Sequence, residues 1–392
     1  MIFLDLGSQP LANEYLNKKN INKPEKKYRL LVDFNNKNKI VSIKKKFSSE
    51  TMFKNNYPYR SSMSKTMKTS FKNFANEIKK KYKPKNLLEI GSNDGTFLKN
   101  FNKKKSLGIE PCLNIANISR KKNLNVISDY WSRNLAKKIS KKYGNFDLIY
   151  SANTITHIKN LDEVFKAINI LLSENGLLII EDPSLLECIK NNTYDQFYNE
   201  HLYVFSYISL SNILKKYDLD IYKIQNVKQH GGSIRYFIKK SYKIKKIHSS
   251  VSIQYSKEAK YGLHKLQTYK KFANRVKKSK IKLRKIFQKI LENKKRIIGY
   301  GATAKAVTIL NYCNINRKNI NFFVDTTPEK QGKFIPGVKI PIKKYFKINK
   351  KIAEYIFLGA WNFKNEIFLK EKKFLKLGGK FITHVPYPKI IN

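Results

Sequence analysis

Only three cysteines occur among the 392 residues, at Cys112, Cys188 and Cys313, and no two form a CxxC pair. An odd, scattered set excludes a disulfide framework and a cysteine-rich zinc site, and it fits a reducing cytoplasm. Acidic residues are scarce too, 28 Asp and Glu against 80 Lys and Arg, for a formal charge of +52. No run approaches the roughly 20 apolar residues a membrane helix needs. The opening stretch, MIFLDLGSQPLANEY, has neither a basic leader nor a long apolar core. A soluble cytoplasmic chain with no membrane partner is expected.

What is present suits folded domains. Hydrophobic residues make up 41% and aromatics 13%, which removes any compositional case for disorder, and the length suits two or three cores. The positive charge is mostly Lys, spread along the whole chain beside abundant Asn, Ile, Tyr and Phe. A/T-rich codons produce that mixture. With no single basic patch and no aromatic–basic motif, nucleic acid is not the expected partner.

Residues 1–70 read as a mixed, loop-rich N-terminal module. From 71 to 240, short apolar runs (NLLEIG, SLGIEP, LNVISDY, FDLIYSAN, GLLIIEDP) alternate with helical stretches, the pattern of a buried parallel sheet. Residues 241–292 are nearly free of Gly and Pro and carry apolar residues at helical spacing, so one or two connecting helices are expected there. A second α/β unit, 293–392, opens at KRIIGYGATAKAV. The expected class is α/β, with two Rossmann-like domains and a small N-terminal module.

Two loops carry ligand chemistry. In LLEIGSNDGTFL, a strand (87–90) ending at Glu89 and Ile90 runs into Gly91, Ser92, Asn93 and Gly95, and a helix is expected from about Thr96. A glycine directly after a strand lets backbone approach a ligand, and helix N–H groups attract polar or anionic groups. The next strand ends in Glu110, placed to accept both ribose hydroxyls. The E-x-G-x-x-x-G spacing suits S-adenosylmethionine better than a dinucleotide, and Asp129 is a candidate for the adenine end. The second loop, GYGATAKAV, places Gly299, Gly301 and Lys305 like a phosphate-binding turn, with Asp325 at the following strand end. A nucleotide diphosphate is the expected ligand; a duplicated fold without its own ligand is the alternative.

Taken in order, these stretches resemble the sugar C-methyltransferases that act on nucleotide-linked 4-keto-deoxysugars. The resemblance also runs through SQPLANEY, YPYRSSMS, SANTITHI, YNEHLYVFS, QHGGSIRYF, VDTTPEKQGKFIPG and LGAWNFKNEI, nearly the whole chain. It implies a class I methyltransferase domain that uses S-adenosylmethionine, a C-terminal Rossmann-like domain holding the nucleotide-sugar, and an N-terminal zinc module. The family's two cysteine pairs would fall before Phe3 and within DFNNKNK, where this chain has none. No zinc is therefore expected; either the module folds without it or the chain start is truncated.

By the same resemblance, His201 in YNEHL would be the base that removes a proton beside the sugar ketone. Glu200 would orient it or bind sugar, and Tyr198 would hydrogen-bond the sugar or the enolate. Tyr59 and His157 match family positions at the same cavity, Asn153 joins the cofactor set, and His230 and Asn362 join the substrate set. Where the family usually has a second histidine, this chain has Asn199. Rival expectations are an O- or N-methyltransferase and a degenerate, non-catalytic homologue.

Overall fold

The computed structural model describes residues 1–54 and 56–391. Three sheets organise it. The N-terminal stretch, expected to be loop-rich, contains strands β1 (Ile2–Gln9), β2 (Tyr28–Phe34) and β3 (Val41–Ile43), paired antiparallel. Leu4 and Leu6, then Leu30, Val32 and Phe34, alternate inward, the period-two pattern of a sheet with one buried face. A two-residue strand from far along the chain, Tyr203–Val204, completes this sheet beside β3.

The helix Lys65–Tyr82 leads into a seven-stranded sheet. Its strands are β4 (Leu87–Ile90), β5 (Ser106–Ile109), β6 (Val126–Ile127), β7 (Phe146–Ala152) and β8 (Leu172–Pro183). With Tyr203–Val204 counted as β9, the remaining two are β10 (Leu219–Val227) and β11 (Ser233–Lys240). The order is β10-β11-β8-β7-β4-β5-β6, all parallel except β11, which runs antiparallel between β8 and β10. This is the class I methyltransferase sheet. Its switch point lies between β4 and β7, where the crevice outside the strand ends receives ligand.

The helix expected from Thr96 does not form. Only a 3-10 turn, Leu98–Asn100, follows the loop. Asn100 Nδ2 donates to the carbonyls of Thr96 (3.1 Å) and Phe97 (2.8 Å), closing that turn. The cofactor crevice therefore lacks a long helix dipole at this loop.

An ion pair is buried inside the sheet. Arg235 Nε donates to Glu181 Oε2 at 2.6 Å, Tyr150 donates to the same oxygen at 3.0 Å, and the guanidinium stacks 3.5 Å over Phe74. Removing one partner of such a pair strands the other charge. Arg235→Leu is expected to destabilise the protein by about 3–5 kcal/mol in urea unfolding, with most of that recovered in Glu181→Leu/Arg235→Leu.

Two helices, Ser249–Tyr261 and Leu266–Glu292, join the lobes. The second buries Tyr269, Phe272, Val276, Leu283 and Phe287 along one face. Tyr269 packs on Phe3 and Phe34 of the first sheet, and Phe287 on Phe357 of the third. That third sheet comprises β12 (Ile297–Tyr300), β13 (Phe323–Asp325), β14 (Ile342–Lys344), β15 (Tyr355–Leu358), β16 (Lys380–Thr383) and β17 (Lys389–Ile391), in the order β14-β13-β12-β15-β16-β17. Only β17 is antiparallel.

Candidate active site

The loop after β4 is shaped by close backbone packing. Gly91 has φ +73°, and a Cβ there would lie 2.1 Å from Thr154 Oγ1. Asn93 N donates to Glu110 Oε2 and Cys112 N to Glu110 Oε1, both at 2.9 Å. Burial pushes the Glu110 carboxyl up to about 7 against these N–H bonds, which favour its charged form. Asn93 and Asp94 also accept the backbone N–H groups of Ser61 and Ser62, clamping the segment after YPYR over the loop.

Glu89, Gly91, Ser92, Asn93, Glu110 and Asn153 all border one solvent-open cavity. Glu89 Oε2 and Ser92 Oγ are buried there without a partner in the protein. A polar ligand such as S-adenosylmethionine fits this donor and acceptor set. Two expected cofactor residues do not border the cavity. Gly95 (φ +73°) packs against Leu124 and Ser119, and Asp129 is exposed, although its neighbours Tyr130 and Trp131 do line the wall.

The same cavity contains Tyr59, His157, Tyr198 and His201. His201 is buried, its ring 4.1 Å from that of Tyr198 and 4.9 Å from that of His157. Its Nδ1 lies 2.8 Å from the Gln196 carbonyl. A carbonyl only accepts, so Nδ1 carries the proton and neutral His201 keeps its lone pair on Nε2. Burial, then His157 and Lys305, hold its pKa well below the usual histidine value. Burial likewise lowers His157 to about 4. Both rings are therefore neutral at pH 7.

Glu200 does not orient His201; the Gln196 carbonyl does. The carboxylate points instead toward Asn13 and Tyr57, which donate to it at 2.7 and 3.0 Å. Asn13, Tyr57 and Gln196 were not singled out from the sequence. A chain separation of 187 residues between Asn13 and Glu200 explains why no local pattern reports the pair.

From the C-terminal lobe, Lys305 and Asn362 reach the cavity, as does His230 from the turn between β10 and β11. Lys305 Nζ is buried without a hydrogen-bond partner, 5.4 Å from the Trp361 ring centroid. His230 Nε2 is likewise unpartnered. Gly299, Gly301 and Asp325 stay outside the wall. A Cβ at Gly299 would strike the Phe323 ring and one at Gly301 would strike Ala360. Asp325 accepts from Ala302 N and Thr327 N, both at 2.8 Å. It braces its loop as Glu110 braces the first. Among the described residues, no group of three or more His, Cys, Asp or Glu could hold a metal ion, and no helix is long and apolar enough to cross a membrane.

Residues 59–224 match the family described as a methyltransferase domain, and residues 228–386 match the C-methyltransferase C-terminal domain. The chain is 30% identical over 308 residues to the C-methyltransferase NovU of Streptomyces niveus, covering 78% of this chain and 73% of that protein. The chain belongs to the C-methyltransferase family. Two solved structures each align with less than half of this C-methyltransferase. A S-adenosylmethionine-dependent methyltransferase from Clostridium acetobutylicum is 17% identical (44% of this chain, 91% of that one, TM-score 0.35), and the PH0226 protein from Pyrococcus horikoshii 15% (46%, 94%, 0.37). The C-methyltransferase is an S-adenosylmethionine-dependent enzyme, and the cavity bounded by Gly91, Glu110 and His201 is its candidate active site.

Proposed function

We propose that this enzyme C-methylates a nucleotide-linked 4-keto-deoxysugar through an enolate, acting in the cytoplasm. The observation that carries the reading is His201. It is a buried, neutral imidazole whose basic Nε2 is defined by the Nδ1–Gln196 bond, in one cavity with the Gly91 loop and Lys305.

Bound S-adenosylmethionine supplies an electrophilic methyl group on a sulfonium. Carbon becomes a nucleophile toward it only when a C–H beside a ketone is deprotonated. His201 Nε2 takes that proton. Tyr198, beside it, donates to the developing oxyanion; burial holds its phenol protonated, well above the usual tyrosine range. Lys305, whose Nζ has no hydrogen-bond partner in the protein, donates to the diphosphate or the keto oxygen. The clamp of residues 61 and 62 over the Gly91 loop helps exclude water. On this reading, residues 1–70 form a closing module, 71–240 the transfer domain, 241–292 the connection and 293–392 the nucleotide-sugar lobe.

The test incubates the protein with methyl-labelled S-adenosylmethionine and a panel of nucleotide 4-keto-sugars, and locates label by mass spectrometry. Label on ring carbon is expected. Label only on oxygen or nitrogen, or none with any ketose, would overturn the proposal.

A further inference from the structure

The stretch SQPLANEY is placed by neither the cofactor nor the substrate argument, yet it reaches the active site. After β1 the chain runs as a strap along the seam between the lobes. Tyr15 donates to the Ala302 carbonyl at 2.6 Å, where Lys330 Nζ also donates at 2.9 Å. The Leu16 and Phe334 backbones exchange hydrogen bonds of 3.0 and 2.9 Å. Just before these anchors, Asn13 Nδ2 donates to Glu200 Oε1 at 2.7 Å.

Glu200 sits between two cavities. Asn13 and Tyr57 line both, whereas Glu200 lines the second. That second cavity, about 1000 Å³ of empty space open to solvent, is bordered by the strap, Lys54, Pro58 and Lys333. Glu200 thus borders a solvent-open space other than the reaction cavity.

We propose that Asn13 is a positioning residue of the active site, whose amide, delivered by the N-terminal strap, holds Glu200 in its charged form beside the reaction cavity. The proposal rests on the enolate reading above. On this proposal, when His201 accepts a proton and becomes a buried cation, the carboxylate of the next residue in the chain, Glu200, offsets that charge. The groups that act on Glu200 are few. Tyr57 and Asn13 donate to it and Lys330 attracts it, whereas Tyr15, Tyr198 and Cys112 are neutral neighbours that feel its charge. Glu14, paired with Lys54, and Lys333 face the second cavity. Burial raises the Glu200 carboxyl to about 7, and the Asn13 and Tyr57 bonds oppose that rise.

The sign follows. Removing the Asn13 donor favours protonated Glu200, so its titration moves to higher pH. In Asn13→Ala the Glu200 midpoint, read by carboxyl ¹³C NMR and assigned with Glu200→Gln, is expected to rise by about one pH unit. Asn13→Asp, nearly isosteric, sets one carboxyl against another and moves it further. In Asn13→Ala, kcat/KM falls about fivefold at pH 7 and returns to the parent value near pH 9. An unmoved midpoint in both variants, or a loss of equal size at every pH, would overturn the proposal. S-adenosylmethionine titration shows that each variant is folded. If the parent protein methylates no ketose, the enolate reading fails, while the ¹³C titration still decides the role of Asn13.

Discussion

In a His201→Asn variant, C-methylation is expected to fall by about 10²–10⁴-fold, the range that a positioned general base contributes. The substituted amide is shorter than imidazole and can still donate toward the Gln196 carbonyl, so the turn Tyr198–Leu202 keeps a hydrogen bond there. It presents no basic nitrogen. Exchange of the substrate α-proton with deuterated solvent should therefore stop, and S-adenosylmethionine affinity, set by the loop after β4 on the other side of the cavity, should be unchanged. Exchange at the parent rate would place the base elsewhere. Because the His201 pKa lies well below the usual value, the parent enzyme keeps this base neutral far into acid. Glu110 and Glu200 are both raised to about 7; the part of an activity loss near pH 7 that belongs to Glu200 should lose its pH dependence in Glu200→Gln, with activity held at the low-pH level.

Gly91→Ala is expected to remove cofactor binding. The added Cβ meets Thr154 Oγ1 at 2.1 Å and Thr154 Cγ2 at 2.5 Å, well inside contact distance. The left-handed φ of +73° adds roughly 1–2 kcal/mol for any residue with a Cβ. Thr154 follows Asn153, which lines the cavity, so relief of the clash displaces the loops after both β4 and β7. Calorimetry should show S-adenosylmethionine affinity reduced by at least about 100-fold, or about 2.7 kcal/mol. Adding Thr154→Gly removes the collision and leaves the backbone term, so about tenfold of the affinity should return. Parent-like affinity in Gly91→Ala would mean that the loop can open without loss.

Much of the architecture was legible because it is written locally. The apolar runs NLLEIG, FDLIYSAN and GLLIIEDP and the helical spacing within 241–292 report burial through periodicity, and they fall in β4, β7, β8 and the connecting helices. The glycine loop and Glu110 were legible for the same reason: a strand, a turn and an acid at fixed spacing. In place of the helix expected after Gly95 stands a 3-10 turn closed by the Asn100 side chain. The antiparallel N-terminal sheet was missed although Leu30, Val32 and Phe34 alternate inward; only its last strand, Tyr203–Val204, lay beyond any local pattern.

The amino-acid sequence by itself determined the family, the cofactor class, two strand–glycine–helix or strand–glycine–turn units and a short set of titratable candidates, because each depends on neighbours within about 20 residues. Tertiary structure alone decided that Gln196 rather than Glu200 orients His201, that Asp325 braces its loop instead of meeting ligand, and that Asn13 reaches Glu200. These outcomes hang on single hydrogen bonds of 2.7–2.8 Å between distant or differently oriented segments. Only the packing of the lobes sets such distances.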